Sequence, residues 1–204
     1  MLKVGLTGGY ASGKSFVAAT LEDLGCHLIY ADKLGHAVLE PGGEAYQPAL
    51  KLFGPEILSP DGLINRKQLG SIVFASRDLL DKLSAIVHPA VFRLEEKMLS
   101  QIAEIDPEGI AVIEAAILIE TGRYCSFDSI ILTVCSRDAQ IARGMTRDGL
   151  TREQVLARLS KQMPNEETQR YADYVINTEG TKSQTVKQIR KVLLDLMQRR
   201  GSTS

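Results

Sequence analysis

A glycine-rich segment near the start of the chain, GGYASGKS at residues 8–15, constrains the fold more than any other feature. It fits the pattern G-x-x-x-x-G-K-[ST], in which the backbone N–H groups of a loop surround phosphate oxygens. An apolar run at residues 2–7 precedes the segment, and a helical pattern that stops at Gly25 follows it. In such a loop the lysine reaches the β- and γ-phosphates and the hydroxyl binds Mg²⁺. The segment therefore predicts a nucleoside triphosphate site, with Lys14 and Ser15 in those roles.

The apolar pattern predicts an α/β fold built on a parallel sheet. A strand, the glycine loop, a helix and a second strand at residues 27–31 follow one another, which is the order of a βαβ unit. Continuous apolar runs at 110–113 and 130–134, with a short one at 174–176, predict further strands that are buried on both faces. We therefore expect a P-loop NTPase-type parallel sheet flanked by helices.

Helical patterns occupy most of the remaining chain. Residues 33–100 lack strand signals and predict a mostly helical insertion. Residues 137–162 predict a helical region broken at Gly149, and apolar positions between 186 and 197 predict a terminal helix. The last residues, 199–204, are expected to fray.

Composition excludes several classes of protein. The 204 residues carry 24 basic and 25 acidic side chains, so no overall positive field would hold a nucleic acid. No apolar run approaches the ~18 residues of a membrane span, and the N-terminus does not resemble a leader. The three cysteines form no C-x-x-C pair and are expected as buried thiols in a reducing compartment. A cytoplasmic protein without membrane or nucleic-acid partners is expected.

Two carboxylates follow predicted strands, where ligands of open α/β sheets bind. Asp32 follows the second strand and could orient and deprotonate a hydroxyl that attacks the γ-phosphate. It could equally cap a helix that starts at Lys33. Glu114 could hold Mg²⁺ through water or bind a substrate hydroxyl, or it could be a solvated strand end.

Basic side chains and histidines leave alternatives open. Arg143 and Arg147 are four residues apart and share a helix face, from which they could grip phosphate oxygens, or they could form a solvated face balanced by nearby acidic residues. His27 and His36 are expected to be packing or surface residues, and His88, which precedes a proline, is expected to mark a helix end.

Short motifs follow one another in a fixed order along nearly the whole chain. They are Gly5–Gly9 with Ser12–Ser15, Ala31-Asp32, Phe53-Gly54, Asp61-Gly62, Asn65-Arg66, Leu69-Gly70, Val73-Phe74, His88-Pro89, Glu114 through Glu120, Arg143, Arg147, Gln162 and Ala172-Asp173. This ordered set resembles the dephospho-coenzyme A kinase family.

This resemblance implies transfer of the γ-phosphate of ATP to the 3′-hydroxyl of the ribose of dephospho-coenzyme A. Asp32, Lys14 and Arg143 would be catalytic, and Ser15 would hold Mg²⁺. The implied ATP contacts are Gly8, Gly9, Ala11, Ser12, Gly13, Lys14, Ser15, Phe16, Arg143 and Arg147. The implied acceptor contacts are Asp32, Arg66, His88, Glu114 and Leu118.

The resemblance also implies three parts. They are a core of residues 1–32, 108–136 and 172–204, a helical acceptor-binding insertion of residues 33–107, and a helical lid of residues 137–171. A monomer or weak homo-oligomer is expected. A nucleoside monophosphate kinase and a nucleotide-dependent switch are the alternatives, although the chain has no N-K-x-D guanine motif.

Overall fold

A computed structural model of the chain describes residues 1–201, with side chains as far as residue 199. In this range five strands form one sheet: β1 (Leu2–Gly8), β2 (His27–Tyr30), β3 (Ile110–Glu114), β4 (Ser129–Val134) and β5 (Tyr174–Asn177). Their order is β2-β3-β1-β4-β5. Strand β1 pairs in parallel with both β3 and β4, and β4 pairs in parallel with β5. The predicted parallel sheet is confirmed.

Helices connect and cover these strands. They are α1 (Lys14–Asp23), α2 (Ala31–Ala37), α3 (Tyr46–Phe53), α4 (Arg66–Phe74), α5 (Arg77–Ile105), α6 (Arg137–Asp148), α7 (Arg152–Leu159), α8 (Asn165–Thr168) and α9 (Lys182–Gly201). None of those in residues 1–201 combines the length and the apolarity that a membrane crossing requires.

The chain divides into two compact units. The first consists of Met1–Ile29 and the chain from Ile102 onward, and it contains β1, β3, β4 and β5. The second, Tyr30–Gln101, contains α2, α3, α4 and most of α5.

Strands β3 and β4, which flank the central strand β1, are buried along their whole length. In β3 and β4 every residue is buried, and the register places Val4 beside Val112 and Leu6 beside Ile131. Continuous apolar runs suit these positions, because both faces of the sheet are covered. Since paired parallel strands end at the same edge, the ends of β1 and β3 bring the phosphate loop and Glu114 together.

The second unit has an apolar core of its own. Its buried members are Ala49, Phe53, Ile57, Ile64, Leu69 and Val73. The side chain of Asn65 caps α4 by accepting a hydrogen bond of 3.1 Å from the backbone N–H of Gln68.

Two helix boundaries differ from expectation. Helix α2 begins at Ala31 with Tyr30 as its N-cap, so the interpretation of Asp32 as a cap before Lys33 is wrong. Helix α5 continues through Pro89, and the helix end expected at His88 does not occur. Proline inside a helix costs roughly 3 kcal/mol, but here the neighbouring positions Ala90 and Val91 are buried, and tertiary burial outweighs that cost.

Two smaller expectations also need correction. Cys26 and Cys135 are buried free thiols as predicted, but Cys125 is exposed because it lies in a short 3₁₀ turn before β4. Helix α9 extends to Gly201, so Arg199 is helical rather than frayed. The remaining part of the predicted tail, residues 202–204, lies outside the described residues.

Candidate active site

The loop between β1 and α1 has the backbone of a phosphate-binding nest. Ala11 and Gly13 adopt left-handed conformations with φ of 56° and 88°, and Gly13 is the N-cap of α1. Such alternation turns successive N–H groups toward one point, where the N-terminus of the helix adds its positive dipole end. A β-carbon on Gly13 would lie 3.0 Å from the hydroxyl of Thr178, so glycine is needed here for space as well as for conformation.

Buried hydroxyls hold the loop in place from the sheet side. Ser12 is 1% exposed, and its Oγ lies 2.7 Å from the Oγ1 of Thr133 on β4. The hydroxyl of Thr178, in the loop after β5, donates to the carbonyl oxygen of Ser12 over 2.7 Å. The predicted ATP contact of Ser12 can therefore involve only its backbone, because its side chain faces the protein interior.

Lys14 is paired with Glu114. Its Nζ lies 3.0 Å from the Oε1 of Glu114, and the two side chains are 14% and 10% exposed. The interpretation of Glu114 as a solvated strand end is therefore wrong. The Glu114 carboxylate holds the Lys14 ammonium group at the end of β1, beside the phosphate loop. A role of Glu114 in binding substrate or metal stays a prediction.

Arg143 connects α6 to the phosphate loop through Thr178. Its Nη1 donates to the Thr178 hydroxyl over 2.9 Å, and its Nη2 donates to the Thr178 carbonyl over 2.6 Å. A guanidinium has five N–H donors, so these two contacts leave others for a phosphate oxygen. Arg143 is half-buried rather than part of a solvated helix face.

Arg147, one helical turn later, contacts the loop from another side. Its guanidinium donates to Asp148 from Nε and Nη2, over 2.8 and 2.9 Å, and its carbon lies 5.1 Å from the centre of the Tyr10 ring. The hydroxyl of Tyr10 also donates to Asp148. Hydrogen bonds from Arg147 and Tyr10 hold the pKa of Asp148 well below its usual range, so this side chain is an anion at neutral pH.

The remaining predicted residues have different surroundings. Phe16 lies in α1, with the ammonium group of Lys182 5.5 Å from its ring centre. Leu118 is 1% exposed, so its side chain faces the protein interior. A role for either in binding stays a prediction.

Three predicted site residues belong to the second unit and are exposed. Asp32 lies in the first turn of α2. Arg66 begins α4, and its Nη2 lies 3.8 Å from the Oε1 of Glu40. His88 lies on α5, with its ring centre 6.3 Å from that of Phe92. All three side chains are open to a ligand, and their roles stay predictions.

Ser15 is suited to a metal that takes few protein ligands. Its side chain is exposed in the first turn of α1, and no group of three or more His, Cys, Asp or Glu residues in residues 1–201 could hold an ion by itself. Mg²⁺ at kinase sites keeps several waters and binds mainly phosphate oxygens, so a single hydroxyl fits this chemistry.

Sequence reasoning missed Tyr10, Thr133 and Gln140 as parts of this site. The hydroxyl pair of Ser12 and Thr133 joins positions 121 apart, and the Gln140 side chain donates to the Tyr10 carbonyl across 130 positions. No local pattern signals contacts of this range.

A lysine-containing phosphate loop follows the central strand of a five-stranded parallel sheet and precedes a helix. This arrangement defines a P-loop nucleotide-binding protein.

Comparisons with known proteins narrow this class. A family model described as dephospho-CoA kinase matches residues 2–184. A dephospho-CoA kinase of Syntrophus aciditrophicus is 39% identical over 199 residues, covering 98% of this chain and 85% of the relative. One of Geobacter metallireducens is 42% identical over 189 residues, covering 93% and 94%. The chain belongs to the dephospho-CoA kinase family.

Two solved structures share the fold. A crystal structure of a protein from Thermus thermophilus has a TM-score of 0.83 at 31% identity and covers 95% of this chain and 96% of the other. The dephospho-CoA kinase from Campylobacter jejuni has a TM-score of 0.71 at 27% identity, with coverage of 96% and 97%. Both comparisons extend over nearly the whole of each chain.

Proposed function

We propose that this chain transfers the γ-phosphate of ATP to the 3′-hydroxyl of the ribose of dephospho-coenzyme A, which completes coenzyme A. The observation that carries the proposal is the phosphate loop with Lys14 anchored beside it, in a chain of this family. The helix N-terminus, the loop N–H groups and the ammonium group together favour a polyphosphate.

In the proposed reaction, the acceptor oxygen attacks the γ-phosphorus while the bond to the oxygen bridging the β- and γ-phosphates breaks. ADP leaves, and the hydroxyl proton passes to the carboxylate of Asp32. Lys14 and the remaining donors of Arg143 and Arg147 stabilise the charge on the transferring group. Ser15 would hold Mg²⁺, which neutralises phosphate charge when bound.

The acceptor contacts are part of the same proposal. Arg66 and His88 are assigned to the acceptor within an insertion of residues 33–107, while residues 137–171 form the lid. Glu114 and Leu118 are the remaining proposed contacts to the acceptor. A monomeric or weakly self-associating protein of the cytoplasm is proposed with them, and light scattering after size-exclusion chromatography tests the oligomeric state.

The experiment that tests the function is an assay of product. Purified protein is incubated with ATP, Mg²⁺ and dephospho-coenzyme A, and coenzyme A and ADP are separated by chromatography. Equal amounts of the two products are expected. Phosphorylation of a nucleoside monophosphate instead, or ADP without coenzyme A, would contradict the proposal.

A matched pair of variants tests the base. Asp32→Asn is expected to lower kcat by ~10²-fold while ATP binding is retained, because the amide cannot accept the proton. Asp81→Asn changes another exposed aspartate of the second unit, on α5, and should keep wild-type turnover. Unchanged kcat in Asp32→Asn would remove Asp32 from the reaction.

A further inference from the structure

The side chain of Tyr10, in the middle of the phosphate loop, has no part in the reaction proposed above, yet it is surrounded by charged groups. The guanidinium carbons of Arg147 and Arg158 lie 5.1 and 5.4 Å from its ring centre. Its hydroxyl donates to Asp148. Guanidinium groups at these distances from an aromatic face are attracted by its negative charge density.

Space for the ring is provided by a glycine on α6. A β-carbon on Gly144 would lie 2.6 Å from Cε1 of Tyr10 and 3.0 Å from its hydroxyl oxygen. Gly144 is buried in mid-helix, where glycine costs roughly 1 kcal/mol relative to alanine. The close approach of the Tyr10 ring explains why a glycine occupies position 144.

The backbone of Tyr10 is held by two glutamines. Its N–H donates to the Oε1 of Gln162 over 2.7 Å, and its carbonyl accepts from the Nε2 of Gln140 over 2.8 Å. Gln140 belongs to α6 and Gln162 follows α7. Tyr10 therefore joins the phosphate loop to the segment that carries both arginines in two ways, through its backbone and through its side chain.

The two arginines would repel each other without these partners. Asp148 accepts both hydrogen bonds from Arg147, and its Oδ2 lies 3.7 Å from the Nη1 of Arg158. One carboxylate between two guanidinium groups leaves a net charge of about +1 beside the loop. That surplus favours binding of an anion such as a triphosphate.

We infer that Tyr10 is a positioning residue, whose ring and hydroxyl hold Arg147 and Arg158 beside the phosphate loop so that both bind the triphosphate of ATP. The inference rests on the proposed function for the identity of the nucleotide. It assigns Arg158 to ATP, and it makes Tyr10 act through the arginines rather than on the phosphate itself.

The test compares variants in two backgrounds. In the wild-type background, Tyr10→Leu should weaken binding of a non-hydrolysable ATP analogue, and raise the KM for ATP, by about tenfold, because the arginines lose their orientation. The KM for dephospho-coenzyme A should stay within about twofold, since the acceptor does not depend on these groups. Tyr10→Phe keeps the ring and should lie within about threefold of wild type.

In the Arg147→Met/Arg158→Met background, Tyr10→Leu should cause no further loss of analogue affinity, because residues that act as a unit are not additive. Unchanged analogue affinity in Tyr10→Leu, or losses that multiply in the second background, would overturn the inference. So would an equal rise of both KM values, which indicates a general disturbance of the fold.

Gly144→Ala offers a second route should Tyr10→Leu fail to fold. Its added carbon must displace the ring, and the same weakening of analogue binding is expected; wild-type affinity with the variant folded would overturn the inference. If wild-type protein makes no coenzyme A, the proposed function fails, whereas the analogue measurements still decide the role of Tyr10.

Discussion

Replacing Lys14 by methionine is expected to destabilise the protein as well as to weaken phosphate binding. The substitution keeps most of the side-chain volume but leaves Glu114 without its partner, and this carboxylate side chain is only 10% exposed. At an effective dielectric constant of about 20, unit charges separated by the 3.0 Å of this pair attract by roughly 5 kcal/mol. Desolvation offsets part of that attraction.

The expected loss of stability follows from the Glu114 charge that stays unpaired after the substitution. Removing one partner of a buried pair costs about 3–5 kcal/mol, because the other charge stays desolvated. The partial exposure of both groups favours the lower end, about 3 kcal/mol. For a chain of this length each kcal/mol lowers Tm by about 2–4 °C, so a decrease of about 6–12 °C is expected.

The assay is thermal unfolding followed by circular dichroism without nucleotide, with two controls. Lys14→Met/Glu114→Gln removes both charges and should recover most of the loss, because no unpaired ion remains. Lys161→Met changes an exposed lysine after α7 and should stay within about 0.5 kcal/mol of wild type. A Tm for Lys14→Met within 2 °C of wild type, or a double variant as unstable as the single one, would refute the reasoning.

Three further outcomes follow from individual side chains. Gly13→Ala should destabilise the protein by about 1–3 kcal/mol in urea unfolding, since alanine is strained at φ 88° and its β-carbon would lie 3.0 Å from the Thr178 hydroxyl; wild-type stability would contradict this packing. Iodoacetamide at pH 8 should modify one thiol quickly, the exposed Cys125, because burial raises the pKa of Cys26 to about 11 and also raises the pKa of Cys135. Mass spectrometry of Cys125→Ser should then show no fast site, and rapid labelling of that variant would refute the assignment. Burial and a hydrogen bond to a carboxylate raise the pKa of Tyr174 to about 12, so its contribution to stability is complete below pH 10 and is lost as pH rises toward 12. Between pH 9 and 11.5 the free energy of unfolding of Tyr174→Phe should therefore fall less than that of the wild type. Equal slopes of this free energy against pH in the two proteins would count against the role of Tyr174.

The phosphate loop and the strands were predictable because their signals are local. Residues 8–15 specify a nest by their spacing, and the apolar runs that became β3 and β4 report burial on both faces wherever they occur in the chain. The terminal helix and the break at Gly149 follow from periodicity and turn chemistry in the same way. The helix end that the sequence predicts at His88-Pro89 is absent, and α5 continues through Pro89. Local propensity does not include the burial of the residues that follow.

The sequence by itself predicts a triphosphate site at the start of the chain. It also determines which family the motifs resemble and which residue types are available for chemistry. Only the tertiary structure decided how those side chains are used. It paired Lys14 with Glu114 and turned Arg143 onto Thr178. It also brought the guanidinium groups of Arg147 and Arg158 close to the ring of Tyr10. These contacts join residues at least 35 positions apart. Their energies depend on distance and burial, which exist only once the sheet has formed.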